Sequence, residues 1–446
     1  MRNLSIEHRQ DKNKGANKLC VVSLGPGSGE CLTPAAGRAL RTADCLFVTE
    51  RHVPLTEGHG NVVVMDGLED ALERMEAELE RGSVAVAVSG DGGIFSLLPR
   101  LRKRFPDREI SVVPGVSSLQ SLCAALGETW DDAEITSVHG RAVSPSKIAG
   151  LVAHNEKTVF FCGPDRHPAW ICRLLSERGL DVKVAVGERL SYPDERVTRG
   201  RPAELTQRIF DPLSLVWVRN PEPLPLFSNR PEDVEFLRSQ APDVKVPMTC
   251  EEVRTIILDR LRPSPDSILW DIGAGTGSVA VACARLCPFG EVHALERLPE
   301  AVDLLRANKA KFRSYNLFIH EGSAPEALAN LPSPTHVFIG GSGGGLRQIL
   351  EHVQGRGEGI RVVVSGVTLG TICAAFEALE GPGFRHRDAV QISVSRGKPL
   401  GGKLLGGSLL GGNVVMTAQN PVTLLSAWTA GKAKKMEEGG KGSASS

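Results

Sequence analysis

Short apolar runs alternate with amphipathic stretches along nearly the whole chain. Runs at 19–24, 45–49, 62–65, 84–89 and 110–113 are rich in Val, Leu and Ile, and Gly, Asp or Pro lies close to most of them, the pattern of buried strands. Between them apolar positions recur at helical spacing, over 34–42 and most clearly over 68–81. Further runs follow at 135–138, 158–162, 182–187 and 214–219. The stretch 220–247 then breaks the rhythm. It holds PEPLPLF, SNRPED and APDVKVP, which predicts a proline-rich linker with a short helix near 232–239. A third series begins at 268–272 and continues at 291–296, 316–320, 336–340, 360–365, 389–395 and 413–418. Strands alternating with helices predict α/β architecture with parallel sheets, and the last series predicts a doubly wound sheet.

Length sharpens this picture. A chain of 446 residues is too long for one core and implies two or three domains. The predicted boundaries are a disordered tail at 1–18, a domain at 19–225, a linker at 226–246, a second domain at 247–430 and a tail at 431–446. Hydrophobic content of 41% and charged content of 23% are those of a globular protein. Lys plus Arg and Asp plus Glu both number 52. That balance, with 5% aromatics, argues against a nucleic-acid partner. The ten cysteines include no CxxC pair, and Cys283 and Cys287 lie four apart on a predicted helix. They read as buried small hydrophobes in a reducing compartment, with no metal site. No run approaches the ~20 apolar residues of a membrane span, and the start of the chain lacks the apolar core of a secretory signal. The expectation is a cytoplasmic enzyme that binds no membrane.

Two glycine-rich strand-to-helix junctions are the candidate chemistry. ILWDIGAGTGSVAVACARL runs from an apolar strand through Asp271 into Gly273, Ala274, Gly275, Thr276 and Gly277, with a helix starting near Ser278. Glycines are needed where backbone turns sharply against a ligand. The next strand ends in Glu296, at the offset where an acid receives ribose hydroxyls. GxGxG after a strand-terminal acid favours S-adenosylmethionine (SAM) over a dinucleotide. The other junction, VVSLGPGSGE, has similar spacing, but Pro26 fixes φ and removes a donor, and its helix begins only near Pro34.

The stretch VPMTCEEVRTIILDRLRPSPDSILWDIGAGTGSVAVACARL, with NLFIHEGSAPEALANLP, THVFIGGSGGGLRQIL and AQNPV, closely resembles the C15-methylating, decarboxylating component of cobalamin biosynthesis. The resemblance implies a Rossmann-like class I SAM-dependent methyltransferase. It implies that SAM is held by Gly273, Ala274, Gly275, Thr276, Gly277, Glu296, Thr249, Ser323 and Ala324. Three positions depart from the family's pattern: Cys250 stands where Lys is common, Ala282 where an acid is frequent, and Ser323 where Asp is usual.

In the first half VVSLGPGSGE, SGDGGIFSLLPRL, VVPGVSSLQSLCAALG and SVHGR occur in order. They resemble the tetrapyrrole methylase fold, in which two α/β subdomains form a trough with SAM between them. The resemblance is strongest to the C5-methylating component of the same pathway. It implies SAM contacts from Gly25, Pro26, Gly27, Gly90, Asp91, Gly92, Ser117 and Ser118. The usual GDP has become Gly90-Asp91-Gly92.

The fused arrangement is similar to the C5,15-methylating, decarboxylating enzymes of cobalamin biosynthesis. It implies two SAM sites and a polycarboxylate tetrapyrrole substrate. The implied reaction methylates C5 and C15 of precorrin-6Y, or its cobalt form, removes the C12 acetate carboxyl and gives precorrin-8. A polycarboxylate calls for arginines, lysines and backbone amides. His139 and Arg141 are candidates in the first half, and Gly341, Ser342 and Gly343 in the second. No catalytic acid or base is named by the sequence. Family relatives assemble, so a homo-oligomer is expected. The alternatives are an RNA methyltransferase and a non-catalytic regulator.

Overall fold

Five apolar runs open the fold: β1 (Leu19–Ser23), β2 (Cys45–Val48), β3 (Val62–Val64), β4 (Val84–Val88) and β5 (Ile110–Val113). In the computed structural model they form one parallel sheet in the order β3-β2-β4-β1-β5. The structure describes residues 18–140, 142–226, 231–239, 246–399 and 414–431. The runs are continuously apolar because both faces of the sheet are covered. Leu19, Val21, Phe47, Val84 and Val86 pack with Leu72, Met75, Leu79 and Leu101 on one face. Val22, Leu46, Val48, Ala85 and Ala87 pack with Ala36 and Leu40 on the other.

The second sheet of this unit contains β6 (Glu134–Ser137), β7 (Lys157–Phe161), β8 (Lys183–Glu188), β9 (Arg196–Gly200) and β10 (Ser214–Arg219). Its order is β6-β7-β10-β8-β9. Only β6 and β7 run parallel; β10 is antiparallel to β7 and β8, and β9 to β8. The expectation of parallel sheets therefore fails here. β9 gave no signal in the sequence because it is a polar edge strand, Arg-Val-Thr-Arg-Gly, with one apolar residue.

The chain divides into two compact units, Met1–Ala142 with Asn155–Pro223, and Val143–His154 with Leu224–Ser446. The second unit contains β11 (Ile268–Ile272), β12 (Glu291–Glu296), β13 (Leu317–Glu321), β14 (His336–Ile339), β15 (Arg361–Gly366), β16 (Phe384–Ile392), β17 (Ser395–Pro399), β18 (Val414–Ala418) and β19 (Val422–Thr429). Seven of them form the sheet β13-β12-β11-β14-β15-β19-β16, with β19 antiparallel to both neighbours. The order reverses beside β11, which opens a crevice at the carboxyl ends of β11 and β14. The fold departs from the sequence pattern at three places. The run at 413–418 is not the seventh strand of this sheet: β18 is exposed throughout and pairs with β17 in a two-stranded sheet. The run at 389–395 is split between β16 and β17. The helix near 232–239 is a single 3-10 turn at Asp233–Glu235. Among the described residues no helix is long and apolar enough to cross a membrane.

Two candidate cofactor sites

The glycine junction after β11 is a backbone cradle. Gly273, Gly275 and Gly277 have φ of +75°, +57° and +80°, a region that costs other L-residues energy. Space is equally restrictive. A Cβ on Gly273 would lie 2.6 Å from the carbonyl oxygen and 2.8 Å from Cα of Gly341. One on Gly275 would lie 2.7 Å from the Pro247 carbonyl. The loop after β14 is held against this one, with the Gly340 and Gly341 amides donating to the Ile272 carbonyl at 2.9 and 3.2 Å.

Glu296 is buried at the end of β12. Its carboxylate accepts from the amides of Gly275 at 2.9 Å, Arg297 at 2.8 Å and Leu298 at 3.0 Å. A carboxylate has about four acceptor positions, so capacity remains for one further donor. Asp271 is different. It is fully buried, and among the described residues neither oxygen has a hydrogen-bond partner at proper geometry. Burial pushes its carboxyl up to about 7, the Ala280 amide offsets part of this, and the Glu296 charge adds to it.

A cavity of about 770 Å³ opens over these groups. Thr249, Gly273, Ala274, Gly275, Glu296, Ser323, Ala324, Gly341, Ser342 and Gly343 all line it. Thr276 and Gly277 do not: Thr276 is buried, and Gly277 caps the helix Ser278–Leu286 against Leu305. Asp271, Arg297, Gln419 and Asn420 also line the cavity and were not assigned from sequence. Among its described lining residues Arg297 is the one cationic side chain. It lies against the glycine loop, since a Cβ on Gly343 would be 3.2 Å from its guanidinium.

In the first unit the carboxyl ends of β1, β4 and β5 carry the three glycine-bearing loops. Gly25 and Gly90 exchange backbone hydrogen bonds of 3.2 and 2.7 Å, with φ of +81° and +66°. Pro26 is buried beside them, and a Cβ on Gly27 would fall 2.0 Å from the Tyr192 ring. The Gly92 amide donates to the buried Ser23 hydroxyl at 2.8 Å. Asp91 accepts from the amides of Gly93 at 2.7 Å and Gly115 at 2.9 Å. Its carboxylate thus ties the β4 loop to the β5 loop. Ser117 caps the helix Ser118–Leu126 in a reciprocal box with Gln120, and the Ser118 amide would lie 3.8 Å from a Cβ on Gly90. A cavity of about 400 Å³ beside the loop is lined by Gly92, Phe95 and Ile135 among others. His139 is exposed, with its ring against Gly163. Arg141 lies outside the described residues.

The comparisons also divide the chain into two parts. Residues 18–206 match the family described as tetrapyrrole (corrin/porphyrin) methylases, and residues 243–406 match the precorrin methyltransferase domain. A probable cobalt-precorrin-6B C(15)-methyltransferase (decarboxylating) of Pyrobaculum calidifontis is 37% identical over 185 residues, 41% of this chain and 89% of that protein. The chain belongs to the precorrin methyltransferases. A relative covering both halves is the precorrin-6Y C(5,15)-methyltransferase [decarboxylating] of a Sinorhizobium species, 29% identical over 394 residues, 86% of this chain and 92% of that protein. The Salmonella typhimurium cobalt-precorrin-6B C(15)-methyltransferase (decarboxylating) is 36% identical over 171 residues, 38% of this chain and 86% of that protein. This precorrin methyltransferase therefore joins two methylase families, and SAM is its methyl donor. Both matched descriptions name tetrapyrrole or precorrin methylation rather than RNA.

Proposed function

We propose that this chain methylates C5 and C15 of precorrin-6Y, or its cobalt form, and removes the C12 acetate carboxyl as CO2, giving precorrin-8. The first unit would carry C5 methylation, and the second would carry C15 methylation and decarboxylation. The observation that supports this most is the second cavity, where a buried, unpartnered carboxylate meets two crowded glycine loops. A site that leaves Asp271 without a cationic partner among the described residues suits a ligand bearing positive charge. SAM carries an ammonium and a sulfonium, so the residues fit it. When bound, it supplies a methyl group activated for transfer to an electron-rich carbon.

The chain's own residues would do the rest. Asp271 pairs with the ligand's cationic end. Glu296 offers its remaining acceptor capacity to one ribose hydroxyl, and Ser323 and Ala324 supply a further wall. Thr249, Gly273, Ala274 and Gly275 shape the floor. Donor and acceptor then need only alignment in a dry pocket. Met248, Val253, Ile257, Phe338 and Val422 form an apolar wall of the same cavity.

Arg297 and the amides of Gly341, Ser342 and Gly343 would hold a carboxylate of the macrocycle. A carboxylate that must leave as CO2 is released more easily where no cation stabilises its charge. Arg297 therefore anchors a side chain that survives, and the acetate that is lost faces the apolar wall. In the first unit Gly25, Gly90, Gly92 and the Ser117–Ser118 turn would form the second SAM site, with Asp91 holding two loops in register.

Calorimetric titration of the full chain with SAM tests the two-site reading. Two equivalents should bind, and Gly273→Ala should remove one of them. A single equivalent in the parent protein contradicts it.

A further inference from the structure

The second sheet of the first unit carries a feature that methyl transfer does not use. In the register of β7, β10 and β8, Arg219 stands opposite Lys157 on one side and opposite Lys183 on the other. Three cations thus lie in one row across three strands, on one face of the sheet. One strand further, Arg199 on β9 stands opposite Ala185, which in turn stands opposite Trp217. Like charges placed directly opposite destabilise a sheet by up to about 1 kcal/mol per pair.

Two members of the row are neutralised locally. Lys157 donates to Asp132 at 2.8 Å and to Thr129, and Arg219 pairs with Glu156 at 2.6 Å and Glu128 at 3.3 Å. Lys183 has no ion pair or hydrogen bond from its side chain among the described residues, and Arg199 reaches only the Ala125 carbonyl, at 3.4 Å. Both side chains are exposed.

The helix Ser118–Leu126 covers this face only as far as Gly127, where the chain turns away in a left-handed conformation. Beyond it a cavity of about 520 Å³ remains, with Leu126 as a wall and Ala185 and the nearly buried Trp217 at its floor. Lys183, Arg199, Arg201 and Arg219 line it against Glu128 and Glu204. Arg201 is held by Asp181 at 3.3 Å, and Glu204 by the Arg201 amide at 2.8 Å.

We propose that this cavity is a binding site for a small polyanion bearing phosphate or carboxylate groups, held by Lys183 and Arg199 and capped by Leu126. Two uncompensated cations beside a third that is shared between acids give a local positive potential, and the arginine fork suits bidentate oxyanions. The size fits a small ligand.

The test uses the full chain saturated with SAM, titrated calorimetrically with inorganic pyrophosphate in one arm and citrate in the other, at constant ionic strength. The parent protein should bind at least one probe saturably at millimolar concentration or below, and the arm that binds more tightly identifies phosphate or carboxylate as the preferred group. The double variant Lys183→Gln/Arg199→Gln should bind at least tenfold more weakly, with its methyl-transfer rate unchanged and its thermal stability equal to or above the parent's, since one like-charge pair is relieved. The proposal is overturned if neither probe binds saturably or if the double variant binds as the parent does. It is equally overturned if sedimentation shows that the substitutions dissociate copies of the chain, which would make this face a self-association surface.

Discussion

Replacing Asp271 with asparagine should separate stability from cofactor binding. The carboxyl ordinarily titrates at 3.8 and is pushed to about 7 by complete burial. Holding it ionised in the folded protein above that range costs about 4 kcal/mol. The sign follows from proton binding. Below the ordinary value both folded and unfolded chains are protonated and no penalty exists. Between 3.8 and about 7 the folded chain holds the extra proton, so stability falls as pH rises. Above that window the full penalty applies. Asp271→Asn removes the charge but buries an amide in its place, which takes back about 1–3 kcal/mol. At about pH 8 the ligand-free variant should therefore be more stable than the parent by about 1–3 kcal/mol, and at about pH 5 the gain should shrink towards zero. Urea unfolding at both pH values reads this. SAM binding to the second site should move the other way, weakening at least a hundredfold, because removing one partner of a buried pair costs about 3–5 kcal/mol. Parent SAM affinity should also rise with pH through the same window, since the carboxyl must lose its proton to meet a cation. A variant that binds SAM like the parent, or a parent stability that is flat between about pH 5 and about pH 8, would refute the reasoning.

Gly273→Ala should be far worse than Gly277→Ala, because the first meets Gly341 backbone while the second meets only the Leu305 side-chain tip; thermal unfolding should show a loss of about 2–5 kcal/mol for the former. Arg297→Gln should raise the macrocycle KM about tenfold to a hundredfold, the worth of one charge-assisted hydrogen bond, while SAM affinity and the ratio of CO2 to methyl transferred stay unchanged; a loss of SAM binding would place Arg297 on the cofactor instead. Asp91→Ala frees the Gly93 and Gly115 amides and should weaken SAM in the first unit alone, so a calorimetric titration should keep one tight equivalent.

Most of the scaffold was legible because buried parallel strands are continuously apolar and glycine turns punctuate them. The second glycine loop, Glu296 and the glycines after β14 could be named in advance, since each sits at a strand end fixed by the pattern, while Ser323 and Ala324 after β13 were implied by the family resemblance. What escaped was set by long-range packing. β19 enters between β15 and β16 although it is last in the chain, so local periodicity could not distinguish it from β18. Asp271 was visible as a strand-terminal acid, but its lack of a well-formed hydrogen bond among the described residues is a property of the folded neighbourhood. Arg297 follows Glu296 directly, and only the approach of Gly343 makes it part of the cavity. Asp91 was expected at the cofactor from the loop motif, and that its carboxylate also joins two loops of its own unit is a property only the fold reveals.

The central claim is that one chain delivers two methyl groups from two separate sites. Mass spectrometry of the product formed from purified protein, SAM and precorrin-6Y tests it most directly, run beside the Gly273→Ala variant. The parent should yield a product gaining two methyl groups and losing CO2. The variant should yield one that gains a single methyl group and keeps the carboxyl. A parent product with only one added methyl, or a variant that still delivers both, would contradict the account.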